Sequence, residues 1–237
     1  MRGLLFRTIA DMRRPDSWIT QLRLRRMAFF LQLLDRLPKM PRPLQVLDVG
    51  GTAFFWQMMG LDSVAQGSAL TVHNAHPAMH ITLINLAQPM AIPPNFTNLT
   101  GDGCVMPQFA DGQFDVVFSN SVIEHVGDAT HQQAFAREVR RVGQRYFVQT
   151  PNRYFPIEPH FFFPGFQFLP LAVRIWLVQH FALGWISRLP DYAAAKAEVE
   201  QIRLITANDM QGLFPQAQLH RERTFGMTVG IVAYEGW

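Results

Sequence analysis

Between residues 16 and 37 apolar side chains recur at helical spacing: Leu22, Phe29, Leu33 and Leu37 fall near one face. Asp16 or Ser17 is placed to cap that run, and Pro38 to stop it. The proline-rich PKMPRP at 38–43 reads as a linker, and from Leu44 the period changes. Short apolar runs at 45–50 (QVLDVG), 81–86 (ITLINL), 114–121 (FDVVFSNS) and 145–150 (RYFVQT) alternate with helical stretches, the pattern of an α/β sheet. A shorter candidate strand lies at 96–100 (FTNLT). Helices are predicted from near Ala53 and across His131–Val142, where Phe135, Val139 and Val142 repeat at helical spacing. Two β-rich runs close the chain, LHRERTF and MTVGIVAYE, joined through Gly226 as an antiparallel hairpin.

Residues 153–190 break this rhythm with a crowd of aromatics and prolines. An insertion placed there, after the fourth long strand, would lie above the C-terminal strand ends, where open α/β sheets bind ligands. A helical hairpin packed on the core is the other reading. Phe161, Phe162, Phe163, Phe166 and Phe168 fall within eight positions, with Trp176 and Trp185 beyond them. Such residues suit an apolar pocket or a membrane interface, and equally a lid core or a dimer contact. The domain reading is a basic helical cap with linker over 1–43 and an α/β domain over 44–237, carrying 153–190 as a lid.

Composition narrows the class. Hydrophobic residues make up 49% and charged residues 16%, which excludes a disordered chain. The single cysteine, Cys104, excludes an internal disulfide framework and a thiolate zinc knuckle, and suits a reducing, cytoplasmic compartment. Neither a signal peptide nor a transmembrane helix is expected. Residues 1–42 hold ten basic and three acidic side chains, a net of +7, whereas the whole chain is +3 and the remainder therefore −4. A basic arm on an acidic body suits an anionic partner or is a solvated helix face. Nucleic acid is disfavoured, because the aromatics cluster with prolines instead of interleaving with basic residues.

The strongest local signal is VLDVGGTAFFW at 46–56. A strand ends near Asp48, and Gly50 and Gly51 let the backbone turn and approach a ligand before the next helix. A nicotinamide site is disfavoured: Phe54 and Phe55 occupy the later positions of the G-x-G-x-x-G pattern, and the second strand ends in Asn85, not an acid. With the later fragments GDGCVMPQFADGQFDVVFSNSVIEHV and RYFVQTPNRYFPIEPH, residues 44–152 resemble the class I S-adenosylmethionine-dependent methyltransferases, in the branch called methyltransferase type 11. The resemblance implies a Rossmann-like fold, a mostly parallel seven-stranded sheet with a C-terminal antiparallel hairpin, and S-adenosylmethionine as cofactor. It implies that the loop of Asp48, Gly50, Gly51 and Thr52 holds the methionine part and that Asn85 and Leu86 lie at the ribose. Asp102 then reads the adenine amino group beside Gly103 and Cys104, and Asn120 lines the methyl-transfer face. The family often has Asp or Glu where Asn85 stands; an amide accepts with its oxygen and donates with its nitrogen.

SNSVIEHV is similar to an E-x-x-E-H pattern that some methyltransferases use to hold magnesium. Here Ser121 takes the first position, leaving Glu124 and His125, and two ligands from one turn do not complete an octahedral site. No metal is expected. His73, His76 and His80 are read as part of a solvated loop. Chain order brings His125, Asn152, Glu158 and His160 above neighbouring strand ends, as candidates around the acceptor, with a neutral histidine suited to act as base. The reading is methyl transfer from S-adenosylmethionine to a small or amphipathic, lipid-like acceptor, with peripheral membrane contact as a candidate partner. The alternative is a non-catalytic descendant of the fold that binds a partner or a membrane surface.

Overall fold

A computed structural model describes residues 16–38, 40–59, 79–87 and 96–237. Seven strands form one sheet in the order β3-β2-β1-β4-β5-β9-β8. They are β1 (Leu44–Val49), β2 (Met79–Asn85), β3 (Phe96–Thr100), β4 (Val116–Asn120), β5 (Tyr146–Pro151), β8 (Gln218–Thr224) and β9 (Met227–Glu235). β1 pairs in parallel with β2, from Leu44↔Met79 to Val49↔Ile84, and with β4; β2 pairs in parallel with β3. Nearly every side chain of β1, β2 and β4 is buried, which is why these segments read as continuous apolar runs and not as alternation. This is the Rossmann-like methyltransferase architecture, a mostly parallel sheet with a C-terminal antiparallel pair. Phe225 and Gly226 join that pair with φ of 50° and 77°, a two-residue turn of the primed kind.

The chain divides into two compact units. The first holds the described residues up to Asn120, with Glu138–Val148 and Tyr234–Trp237. Its first helix, α1 (Trp18–Leu34), is capped by Ser17, whose Oγ accepts from the Thr20 amide at 3.2 Å. α1 ends at its C-cap Asp35, short of Pro38, and its buried apolar positions are Met27, Phe30, Leu31, Leu33 and Leu34. Of the face expected from spacing, Leu33 is buried, Leu22 and Phe29 are only partly covered, and Leu37 lies beyond the helix. Phe30 is fully buried, edge-on to Phe118, Phe147, Trp56 and Trp237 at 5.0, 5.2, 6.3 and 5.8 Å. α1 is thus a wall of the core. A short helix, α2 (Ala53–Met58), follows β1. His80 lies in β2, where its Nε2 meets Thr97 Oγ1 at 2.8 Å, so it is not part of a loop; His73 and His76 lie outside the described residues.

The second unit comprises Ser121–Arg137 and Gln149–Ala233. It contains a 3-10 turn (Ile123–His125), the two-stranded β6 (Ile157–Glu158) and β7 (Phe163–Pro164), and a second 3-10 turn (Phe166–Phe168). Helix α3 (Ala129–Val142) begins in this unit, and α4 (Leu171–His180), α5 (Tyr192–Glu200) and α6 (Ala207–Leu213) lie within it. Phe161, Phe166, Ile175, Val178, Ala195 and Val199 form a core of their own, with the Phe161 and Phe166 rings stacked at 3.9 Å. Phe161 and Phe166 of the aromatic cluster therefore fill this core, with Phe163 packed against it. It needs α5, which lies beyond residue 190, to close it. Among the described residues no helix is long and apolar enough to cross a membrane.

Candidate active site

β1 delivers Asp48 into the interior of the first unit, fully buried. Its Oδ2 accepts from Trp56 Nε1 at 2.7 Å, while the buried Oδ1 has no hydrogen-bond partner among the described residues. Burial pushes the Asp48 carboxyl up to about 7, against the smaller opposing effect of the Trp56 hydrogen bond. The next turn is fitted around this group. Gly50 has φ of 78°, and a Cβ built on Gly51 would lie 1.7 Å from Asp48 Oδ2. Thr52 starts α2, accepting the Phe55 amide on its Oγ at 3.3 Å. Asp48, Gly50, Gly51, Thr52 and Asn120 line one cavity of about 170 Å³ together with Arg23. That is below the roughly 300 Å³ of a pocket for a whole small ligand, so it takes part of one.

Arg23 and Arg26 are the residues that sequence reasoning missed. Their place in the basic arm reads as a solvated face or a contact for an anionic partner, yet α1 turns both into its own unit. Arg26 is 9% exposed and donates from Nη1 to Asn120 Oδ1 at 2.5 Å. Arg23 lines the cavity, its guanidinium lowered to about 10 by burial first and by the Arg26 charge second. The signal was their spacing of three, which puts them on one helix face with the buried Met27 and Phe30.

At the ends of β2 and β3, the Asn85 side-chain amide donates to the Gly51 carbonyl at 2.9 Å. A carboxylate could not make that bond, which gives the departure from an acid at 85 a structural role. The Gly101 amide donates to the Asn85 carbonyl at 2.9 Å, and Asp102 Oδ1 accepts from the Cys104 amide at 2.8 Å. Cys104 is buried and Gly103 half-buried, whereas Leu86 is 79% and Val105 62% exposed, two apolar side chains flanking these strand ends. The residues fit S-adenosylmethionine. Asp48 would face its ammonium group, Arg23 its carboxylate, and the exposed apolar groups with Asp102 its adenosine; the group when bound supplies an electrophilic methyl on a sulfonium.

In the second unit, His125 Nε2 and His160 Nε2 approach to 3.1 Å, and His160 Nδ1 meets Glu158 Oε1 at 2.6 Å. Glu158 is held by the amides of His160 and Phe161 at 2.8 and 2.7 Å. The result is a fixed row, Glu158–His160–His125. Burial alone would lower the His160 imidazole, but the bond to Glu158 and the charges of Glu158, Glu124 and Glu198 outweigh it and raise the group. His125 moves the opposite way, lowered by loss of hydration first and by the His160 charge second. A proton in this row therefore resides on His160. Glu124 is fully buried and accepts from Thr150 Oγ1 at 3.0 Å. Ligand atoms of Glu124, His125 and His160 lie within 4.8 Å of one another, so the fold adds a third group to the pair read from SNSVIEHV and could hold a cation there. Asn152 is turned elsewhere. It donates to the Thr228 carbonyl at 2.9 Å and lines a separate cavity of about 240 Å³ with Tyr154 and Arg221.

Residues 47–145 match the family model of a methyltransferase domain. No curated protein matches the chain in sequence. Among solved structures, a protein of Pyrococcus horikoshii is similar over 97% of this chain and 95% of its own, at 13% identity and a TM-score of 0.51. The citrinin polyketide synthase CMeT domain matches 92% of the chain at 12% identity and a TM-score of 0.53, and the CurJ carbon methyltransferase 92% at 11% and 0.54. The chain spans 51% and 55% of the lengths of those two. Identities this low establish the fold alone. Taken with the methyltransferase-domain match at 47–145, they show that the chain has the fold of the class I S-adenosylmethionine-dependent methyltransferases.

Proposed function

We propose that the protein transfers a methyl group from S-adenosylmethionine to an amphipathic acceptor. The sulfonium is already a strong electrophile, so the chain's contribution is to position the two reactants and to manage a proton. Asp48, Gly50, Gly51 and Asp102 bind the donor in this reading. The row Glu158–His160–His125 holds the proton of an acceptor that must lose one, with Glu158 fixing the His160 tautomer.

One observation supports the acceptor class. The second unit closes its own core with Phe161, Phe166, Ile175 and Val178, yet it still presents Phe168, Trp176, Phe181 and Trp185 at 53%, 50%, 49% and 36% exposure. These rings are not needed to fill the core, and an outward apolar surface of this kind suits an amphipathic ligand or the lipid surface where one is found. The test is label transfer from methyl-labelled S-adenosylmethionine to long-chain alcohols, amines and acids, with sugars and RNA as comparators. Label on the amphipathic acceptors is the expected result; label on RNA or sugar overturns the acceptor class. Donor binding without transfer to any of them favours the non-catalytic descendant of the fold.

A further inference from the structure

The second unit encloses a cavity of about 410 Å³ that the cofactor does not account for, and its chemistry is specific. Arg153, Arg174 and Arg203 reach it from three separate segments: the residues after β5, helix α4, and the chain beyond α5. Phe161, Phe166 and Ile202 supply its apolar lining. Two acids also border it, but both are engaged. Glu158 accepts two backbone amides and His160, and Asp209 closes the capping box of α6 with Thr206. The guanidinium groups of the three arginines make no hydrogen bond or close ion pair among the described residues, and the Arg174 Nε is buried without a partner. Arg174 is lowered by burial first and by the charge of Arg153 second, with Glu200 partly offsetting. Three like charges thus border a hollow of mixed polar and apolar lining, an arrangement that an oxyanion relieves.

The backbones that carry these arginines are tied down. The Arg153 amide donates to the Ile205 carbonyl at 3.1 Å, and its carbonyl accepts from Gln167 Nε2 at 2.9 Å. The Arg203 amide donates to the Glu124 carbonyl at 2.7 Å, and its own carbonyl accepts from Gln132 at 3.1 Å. These bonds fix where the chain carries Arg153 and Arg203, whose side chains are themselves exposed, while Arg174 is half-buried. Gln167 lines the same cavity with its buried Oε1 unpartnered, so a hydroxyl or other donor on the ligand would complete it.

We propose that this cavity binds the oxyanion head of an amphipathic molecule, a phosphate or carboxylate bearing a nearby hydroxyl, with the apolar chain lying against Phe161, Phe166 and Ile202. The inference rests on the amphipathic acceptor proposed above and assigns that acceptor its charge. Binding is measured without S-adenosylmethionine, by calorimetry below micelle-forming concentrations, using decyl phosphate, 3-hydroxydecanoate, inorganic phosphate, decanol and decyltrimethylammonium. Both amphipathic anions are expected to bind, inorganic phosphate and decanol at least about tenfold more weakly, and the cation not at all. Arg174→Gln, and separately the exposed Arg153→Gln and Arg203→Gln, are each expected to weaken anion binding about tenfold or more. Comparable binding of the cationic amphiphile, or unchanged affinity in all three variants, overturns the proposal. Inorganic phosphate binding as tightly as decyl phosphate overturns the apolar part of the assignment. Anion binding with no methylation of the bound molecule would sink the acceptor reading while this site stands; methylation of neutral acceptors alone, unaffected by the arginine variants, does the reverse.

Discussion

Asp48 holds a proton in the ligand-free protein up to about pH 7, because its carboxylate is fully buried and one oxygen lacks a partner. The sign follows from that raised value. The folded state binds this proton more tightly than the unfolded chain, so the stability Asp48 contributes is complete below its ordinary value near 4 and is lost as pH rises through about 7. Ligand-free Asp48→Asn should therefore gain thermal stability relative to wild type between pH 5 and pH 8, a difference that melting curves at both pH values measure. A cationic ligand group acts oppositely, since it needs the carboxylate. S-adenosylmethionine affinity is expected to rise with pH through about 7 in the wild type and to stay flat in Asp48→Asn; equal slopes in both would remove Asp48 from the donor site. Asp102→Ala should cost about tenfold in donor affinity, the value of roughly one charged hydrogen bond. His125→Ala and His160→Ala are expected to lower turnover at saturating donor without changing donor affinity. Full rate in both would leave proton handling to other groups. Chelator treatment should leave wild-type turnover intact, and a loss restored by a divalent ion would reassign Glu124, His125 and His160 as metal ligands.

The elements were more legible than the contacts between them. β1, β2, β4 and β5 were readable within one or two residues because strands covered on both faces leave unbroken apolar runs. The same logic misjudged α1. Its helix was plain from cap and period, but the buried face also carries Arg23 and Arg26, and a basic side chain on an otherwise apolar face does not announce whether it is solvated or turned inward. β6 and β7 are only two residues each, and the Glu158–His160–His125 row depends on a contact between residues 35 apart, which no local pattern records. The glycine turn was legible because Gly50 and Gly51 are required by backbone geometry and by the side chain of Asp48. As a wall of the core, α1 should tolerate truncation poorly. Phe30→Ala removes a fully buried ring with four aromatic neighbours and is expected to destabilise by about 3–5 kcal/mol. Chemical denaturation monitored by tryptophan fluorescence measures it, and a loss below about 1 kcal/mol would make α1 an appended cap.

At the scale of the whole molecule, the proposed amphipathic acceptor predicts that the protein binds anionic lipid surfaces. Residues 1–42 carry a net +7, two of whose charges, Arg23 and Arg26, are turned inward, and the second unit exposes Trp176 and Phe181 as a contiguous pair, rings 5.8 Å apart and edge-on, about half of each accessible. Tryptophan and phenylalanine favour the boundary between water and hydrocarbon, and each basic residue near an anionic surface adds about 1 kcal/mol. The two terms differ in their response to salt, because only the electrostatic one is screened. Vesicles of phosphatidylglycerol should therefore co-sediment the protein at low salt and retain less of it at about 0.5 M salt, where the Debye length has shrunk to a few ångströms. Trp176→Ser with Phe181→Ser should weaken binding roughly tenfold at both salt concentrations, since removing partly exposed rings forfeits about 1–2 kcal/mol of transfer energy. Neutral phosphatidylcholine vesicles should bind weakly, through the rings alone. A protein that stays in the supernatant with anionic vesicles at low salt, or a double variant that sediments as the wild type does, would mean that these rings meet a small-molecule ligand or a second protein surface instead of a bilayer.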